Sequence, residues 1–205
     1  ATIYSSMGAI HRKFRDYAVS VECYEQVTVI YETIAPDTAS LAASYARLGD
    51  VLHEQGDGDG ALHYLQKAAA IQEQEEALGL WHPDTARTYH SMATVFQDFA
   101  TTAKKQSQKR SFLDSALVYF QRALEIREDA FGEESREAGD TSKLVALVYQ
   151  ARCEWHAAAA HFRNAAAAFA AVLGREHPET VVASKFSAQC YYRAEVGLIM
   201  LLTSN

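Results

Sequence analysis

Eight histidines and three cysteines are the side chains in this 205-residue sequence best suited to metal binding or nucleophilic chemistry. A zinc site needs such residues at close, recurrent spacings, as in H-E-x-x-H or paired C-x-x-C. His156 and His161 stand five apart, and His53 and His63 ten apart on separate predicted helices. Neither spacing is a ligand pattern, so no metal and no cofactor is expected. Cys153 lies beside Glu154 and Trp155 at a helix–helix turn and lacks a nearby base in sequence. A thiol nucleophile needs a base or positive surroundings. No G-x-G-x-x-G, P-loop or G-x-S-x-G occurs either. The chain therefore reads as non-enzymatic, with no catalytic residue assigned.

The remaining question is which elements the other residues build. Alanine occurs 36 times and proline only three times. Alanine is the best helix former and proline the worst, so an all-helical chain is favoured. Apolar residues make up 49% and charged residues 22%, which is ordinary for a globular protein and excludes general disorder. The net charge of −7 sets the chain against nucleic acid, whose phosphates reward basic surfaces. No apolar run approaches the roughly 20 residues that cross a bilayer, and no signal-peptide pattern opens the sequence. Cys23, Cys153 and Cys190 are odd in number and far apart. They predict reduced thiols, in the cytoplasm or another reducing compartment. A sequence that starts at Ala1 reads as a fragment or a processed form.

The text is self-similar. One motif reads Met7-Gly8-x-x-His11, Leu48-Gly49-x-x-Leu52, Met92-Ala93-x-x-Phe96 and Val145-Ala146-x-x-Tyr149. A second reads Ala61-Leu62-x-x-Leu65-x-x-Ala68, Ala116-Leu117-x-x-Phe120-x-x-Ala123 and Ala158-Ala159-x-x-Phe162-x-x-Ala165. Spacings of three and four put each set on one helix face. Small residues mark close helix approaches, and large ones fill the gaps between them. The pairs Leu78-Gly79, Phe131-Gly132 and Leu173-Gly174 end helices. His82-Pro83-Asp84-Thr85 and His177-Pro178-Glu179-Thr180 begin the next ones, with proline at the first helical position. Gly8 to Gly49 spans 41 residues, Gly49 to Ala93 spans 44, and Ala146 to Ala188 spans 42. Ala93 to Ala146 spans 53, which places an insertion at about residues 101–110, between the two helices of the third copy.

This pattern resembles the tetratricopeptide repeat in its variety of about 42 residues, seen in kinesin light chains. His82-Pro83-Asp84-Thr85-Ala86 and the run from Tyr119 to Glu128 carry the likeness most strongly. The resemblance implies an all-α, right-handed superhelix (an α-solenoid) of about four and a half helix-turn-helix repeats. A single domain over residues 1–205 is expected, with repeats at about 1–34, 35–80, 81–132, 133–174 and 175–205. Neighbouring copies bury one another's apolar faces.

The resemblance further implies that the first helix of each copy lines a concave groove where a protein or peptide partner binds. Counted by position, the groove residues are Arg12, Lys13, Asp50, His53, Glu54, Arg87, His90, Gln97, Lys143, Gln150, Lys185, Gln189 and Arg193. Kinesin light chains carry asparagines near the middle of this helix. The present sequence has Ala46-Arg47, His90-Ser91, Lys143-Leu144 and Lys185-Phe186 there. Two other surfaces are candidates for a secondary interface. The insertion offers Lys104, Lys105, Lys109 and Arg110 with no acid among them. The apolar tail, residues 196–202, includes Leu198 and Leu201, and is expected to begin a further short helix that folds back or is covered by another chain. The functional expectation is a non-catalytic scaffold, a structural or adaptor subunit of a larger assembly. The alternative is a kinesin-light-chain-like adaptor that captures a cargo peptide in the groove.

Overall fold

A computed structural model describes residues 1–36, 38–74 and 81–203, apart from the side chains of residues 197–203. Among the described residues there are nine helices and no strand, as the alanine-rich composition requires. They fall into two compact units, Ala1–Phe99 and Ala100–Asn205.

The first unit holds α1 (Thr2–Lys13), α2 (Tyr17–Ile34), α3 (Ala39–Gln55), α4 (Gly58–Gln74) and most of α5 (Pro83–Thr102). Helices α1 and α2 form a hairpin, α2 packs on α3, and α3 forms a hairpin with α4. Small residues allow the close approach. A Cβ placed on Gly8 would meet the Tyr24 ring at 3.0 Å, and one on Gly49 would lie 2.7 Å from Leu65 Cγ. Ala61, Leu65 and Ala68 are buried opposite α3, as the second motif predicts.

The second unit holds α6 (Gln106–Phe131), α7 (Arg136–Ala151), α8 (Trp155–Leu173) and α9 (Pro178–Thr203). Each of these helices packs on the next. Phe120, Phe162 and Phe169 fill the spaces between the helices beside buried Ala116, Ala123, Ala158 and Ala165. The alanine run on α8 is a packing seam inside the unit: Ala158, Ala159, Ala165, Ala166 and Ala168 are all buried.

Helix ends follow the punctuation. Helix α6 stops at Phe131 and α8 at Leu173, each just before a glycine. The third such pair, Leu78-Gly79, lies outside the described residues. Pro83 and Pro178 are the first residues of α5 and α9. Thr38 and Ser135 cap α3 and α7, accepting hydrogen bonds from the amides of Leu41 and Ala138. The histidines of the two H-P motifs are caps as well. The Nδ1 atoms of His82 and His177 accept the amides of Asp84 and Glu179 at 3.1 and 3.3 Å.

One expectation fails. No new helix begins at Val196, because α9 continues to Thr203. Between Val181 and Thr203 there is no proline, and the one glycine, Gly197, costs only about 1 kcal/mol in a helix. The side chains of Leu198 and Leu201 lie outside the described residues. The insertion also takes a defined form. Helix α5 runs on to Thr102, three residues connect it to Gln106, and α6 begins there. Lys104, Lys105 and Arg110 are exposed and Lys109 is half-buried.

The hairpin turns share a backbone conformation. Arg15, Gly56 and Cys153 adopt φ of 61°, 98° and 62°, each just after the first helix of a copy. Only glycine occupies this left-handed region without cost. Cys153 is exposed, so its side chain supplies no packing to offset that cost. Cys153→Gly is expected to stabilise the second unit by about 0.5–1 kcal/mol, net of the extra freedom glycine has when unfolded. Urea denaturation followed by circular dichroism checks this, and a lowered midpoint would show that the thiol has a structural role.

Candidate partner-binding surface

The first helices α1, α3 and α5 bring most of the proposed groove residues of the first unit together, but largely onto one another. Arg12 on α1 reaches Glu54 on α3 with two nitrogens, Nη2 at 2.7 Å and Nε at 3.1 Å. Asp50 stands 4.0 Å from Arg12. The Glu54 hydrogen bonds raise the guanidinium pKa of Arg12 further. Burial pushes the Asp50 carboxyl up, and a hydrogen bond from Ser91 with the charges of Arg12 and Arg87 pulls the other way. His53 Nε2 lies 2.7 Å from Asp98 on α5. Arg87 pairs with Asp84 on its own helix at 3.1 Å. His90 and Gln97 are half-buried, and Lys13 is exposed. A recess of about 380 Å³ opens beside Ala9, Arg12, Lys13, Tyr24 and Glu54. Each half-exposed ion pair is worth about 0.2–1 kcal/mol, so these pairs set register more than they stabilise.

The second unit presents a different surface. Arg136 on α7 bridges Asp140 at 3.6 Å and Glu179 on α9 at 3.1 Å. Lys143 lies 3.6 Å from Asp140 and 5.6 Å from the Phe169 ring centre. Beside them is an apolar cleft of about 240 Å³ between α7, α8 and α9. Leu147, Phe162, Phe169, Val182 and Phe186 line it, with Lys143 and Glu179 as its charged members. The Phe162 and Phe186 rings stack at 5.3 Å. Gln150 has a buried amide oxygen without a hydrogen-bond partner among the described residues. Lys185 and Gln189 are exposed. Arg193 packs its guanidinium 4.9 Å from the Trp155 ring centre on α8, which ties it to the other side of the hairpin.

Sequence reasoning named Lys143 as a groove residue but did not name the three phenylalanines around it. The available signal was Phe186, a large apolar residue at the middle of a first helix where a polar one was expected. Among the described residues no three His, Cys, Asp or Glu side chains converge as a metal site would require. None of the described helices is long and apolar enough to cross a membrane.

Two sequence models described as tetratricopeptide repeat match the chain. One covers residues 1–74 and 40–100, the other residues 108–137 and 145–179. No curated protein matches significantly. Several solved structures share the fold. A Podosopora anserina protein of nearly identical TPR-like repeats, assigned as a kinesin light chain, superposes with a TM-score of 0.76 at 20% identity, covering 95% of this chain and 86% of that one. BtubC (BKLC) from P. vanneervenii gives 0.70 at 17% identity over 94% of this chain and 74% of that one. A MamA protein gives 0.55 at 16% identity over 95% and 91%. These likenesses concern the fold. With repeat matches along most of its length and packed helix pairs within each unit, the chain belongs to the tetratricopeptide repeat family, a protein-interaction scaffold built as an α-solenoid.

Proposed function

We propose that this chain is a non-catalytic structural or adaptor subunit, and that the cleft of α7, α8 and α9 seats an apolar segment of its partner protein. The cleft carries this reading. It is apolar and open, with one cation and one anion beside it. Apolar burial supplies affinity, and the two charges fix the orientation of the bound segment. Arg12 and His53 in the first unit pair with carboxylates on the next first helix, and Lys143 and Glu179 in the second pair with Asp140 and Arg136, so the apolar lining is what distinguishes the cleft. Capture of a cargo peptide, in the manner of a kinesin light chain, is the narrower form of this proposal. A reducing compartment fits the free thiol of exposed Cys153.

Selection from a displayed random-peptide library tests the seat. Peptides enriched on the native chain should carry a large apolar residue beside a carboxylate for Lys143. Their affinity should fall at least tenfold on Val182→Asp, a change at a half-exposed residue that leaves the helices intact. Peptides that bind Val182→Asp and the native chain equally well would sink the proposal.

A further inference from the structure

Helix α6 is longer than the other second helices of the repeat, and the excess lies at its start. Helices α4 and α8 begin three residues before Ala61 and Ala158, whereas α6 begins ten residues before the matching Ala116. The added turns and the connector before them carry Lys104, Lys105, Lys109 and Arg110, and no acid occurs between Asp98 and Asp114. The far end has the opposite character. Glu128, Asp129, Glu133 and Glu134 cluster there, and no lysine or arginine occurs between Arg127 and Arg136. Lys109 and Glu128 are half-buried, and the other six of these residues are exposed. No ion pair joins any of the eight to another described residue.

Both ends run against the helix dipole, which favours acids in the first turn and bases in the last. Crowding is felt at the acidic end: burial pushes the Glu128 carboxyl up, and the charges of Glu133 and Glu125 push it further. The two clusters are unable to relieve each other within one molecule. The 26 residues of α6 hold its ends about 38 Å apart, several times the roughly 8–10 Å over which charge is felt in physiological salt. Between the ends runs an open strip. Gln108, Ser111, Ser115, Val118, Arg122 and Glu125 recur at spacings of three and four, so they share one face. None of them is buried, and Val118 is 50% exposed. Val118 also stands midway between the clusters. Lys104 and Lys105 precede it by 14 and 13 residues, and Asp129 and Glu133 follow it by 11 and 15.

We infer that α6 pairs antiparallel with α6 of a second copy of this chain, about a two-fold axis at Val118, so that the basic end of each lies on the acidic end of the other. This register sets Lys104 and Lys105 of one copy between Asp129 and Glu133 of the other, twice over. Such a self-complementary patch is the commonest basis of homodimers. The serines of the strip let the helices approach, and Val118 meets its own image at the axis. No residue of the cleft of α7, α8 and α9 takes part.

Sedimentation velocity of the full chain tests this. At about 0.05 M salt the native chain should shift from monomer to dimer with rising concentration, and at about 0.5 M salt the dimer dissociation constant should rise at least about tenfold. Reversing the exposed bases (Lys104→Glu, Lys105→Glu and Arg110→Glu together) should leave a monomer. Reversing the exposed acids (Asp129→Lys, Glu133→Lys and Glu134→Lys together) should do the same. Both sets put charge where the helix dipole favours it, so helical content should hold in circular dichroism. An equimolar mixture of the two reversed chains should regain the dimer, since each offers what the other lacks. Val118→Asp should weaken the native dimer by about tenfold or more, because it sets two carboxylates together at the axis. A native chain that stays monomeric at every concentration would overturn the inference. So would dimers that survive either reversal, or reversed chains that stay apart when mixed. Assemblies larger than a dimer that Val118→Asp leaves intact would overturn the antiparallel register in favour of a head-to-tail contact.

Discussion

Replacing Phe162 by alanine should cost the second unit about 3–5 kcal/mol. The ring is 1% exposed and packs with Ala146, Ala158, Ala159 and Cys190. Its neighbours are mostly alanines, which have no side-chain length with which to close the gap, so the cavity should persist. The stacked partner Phe186 on α9 would lose its contact as well. Denaturant unfolding, with the signal of the second unit followed by hydrogen exchange, measures the loss. Phe162→Leu should cost far less, since it retains most of the volume. Because Phe162 also lines the apolar cleft, the alanine variant should alter peptide selection there too. A cost below about 1 kcal/mol would mean that α8 does not pack on α7 and α9 through this ring.

Enlarging Ala61 to leucine should destabilise the first unit by about 1–3 kcal/mol. Ala61 is fully buried, and its carbonyl oxygen would lie 3.1 Å from a Cβ placed on Gly49. Helices α3 and α4 therefore meet nearly backbone to backbone, and three added carbons must push them apart. Ala70→Leu, on the exposed side of α4, is the matched control and should change the midpoint little. If both substitutions were silent, the assignment of the buried side of α4 would be wrong.

Much of this fold could be read before any coordinates. The helix-ending glycines and helix-starting prolines depend on local backbone geometry, which a short stretch of sequence determines. The small and large residues at spacings of three and four likewise named the packed faces, and Ala61, Phe120 and Phe162 lie where that pattern puts them. What escaped were features that depend on how a side chain turns or on what it meets across a gap. His82 and His177 were read as part of the helix-starting H-P motifs, but the cap that each ring nitrogen gives its helix was not. The α9 tail was assigned a break because the repeat count required one, but the local residues continue the helix. The groove charges were read as free for a partner, whereas the pairing of Arg12 with Glu54 follows from rotamers and from the one-copy spacing between them. The cleft required three aromatic residues from two helices to converge, and each one alone reads as core.

Those groove pairs also have a direction. In Arg12 with Glu54, His53 with Asp98 and Arg136 with Glu179, the cationic or ionisable nitrogen always belongs to the earlier copy and the carboxylate to the later one. The copies are thus polar building blocks, like magnets laid in a row. Reversing one copy would set like charge against like, and so would stacking two such surfaces tail to tail. A repeat that follows the same rule offers its carboxylate to a base on the copy before it.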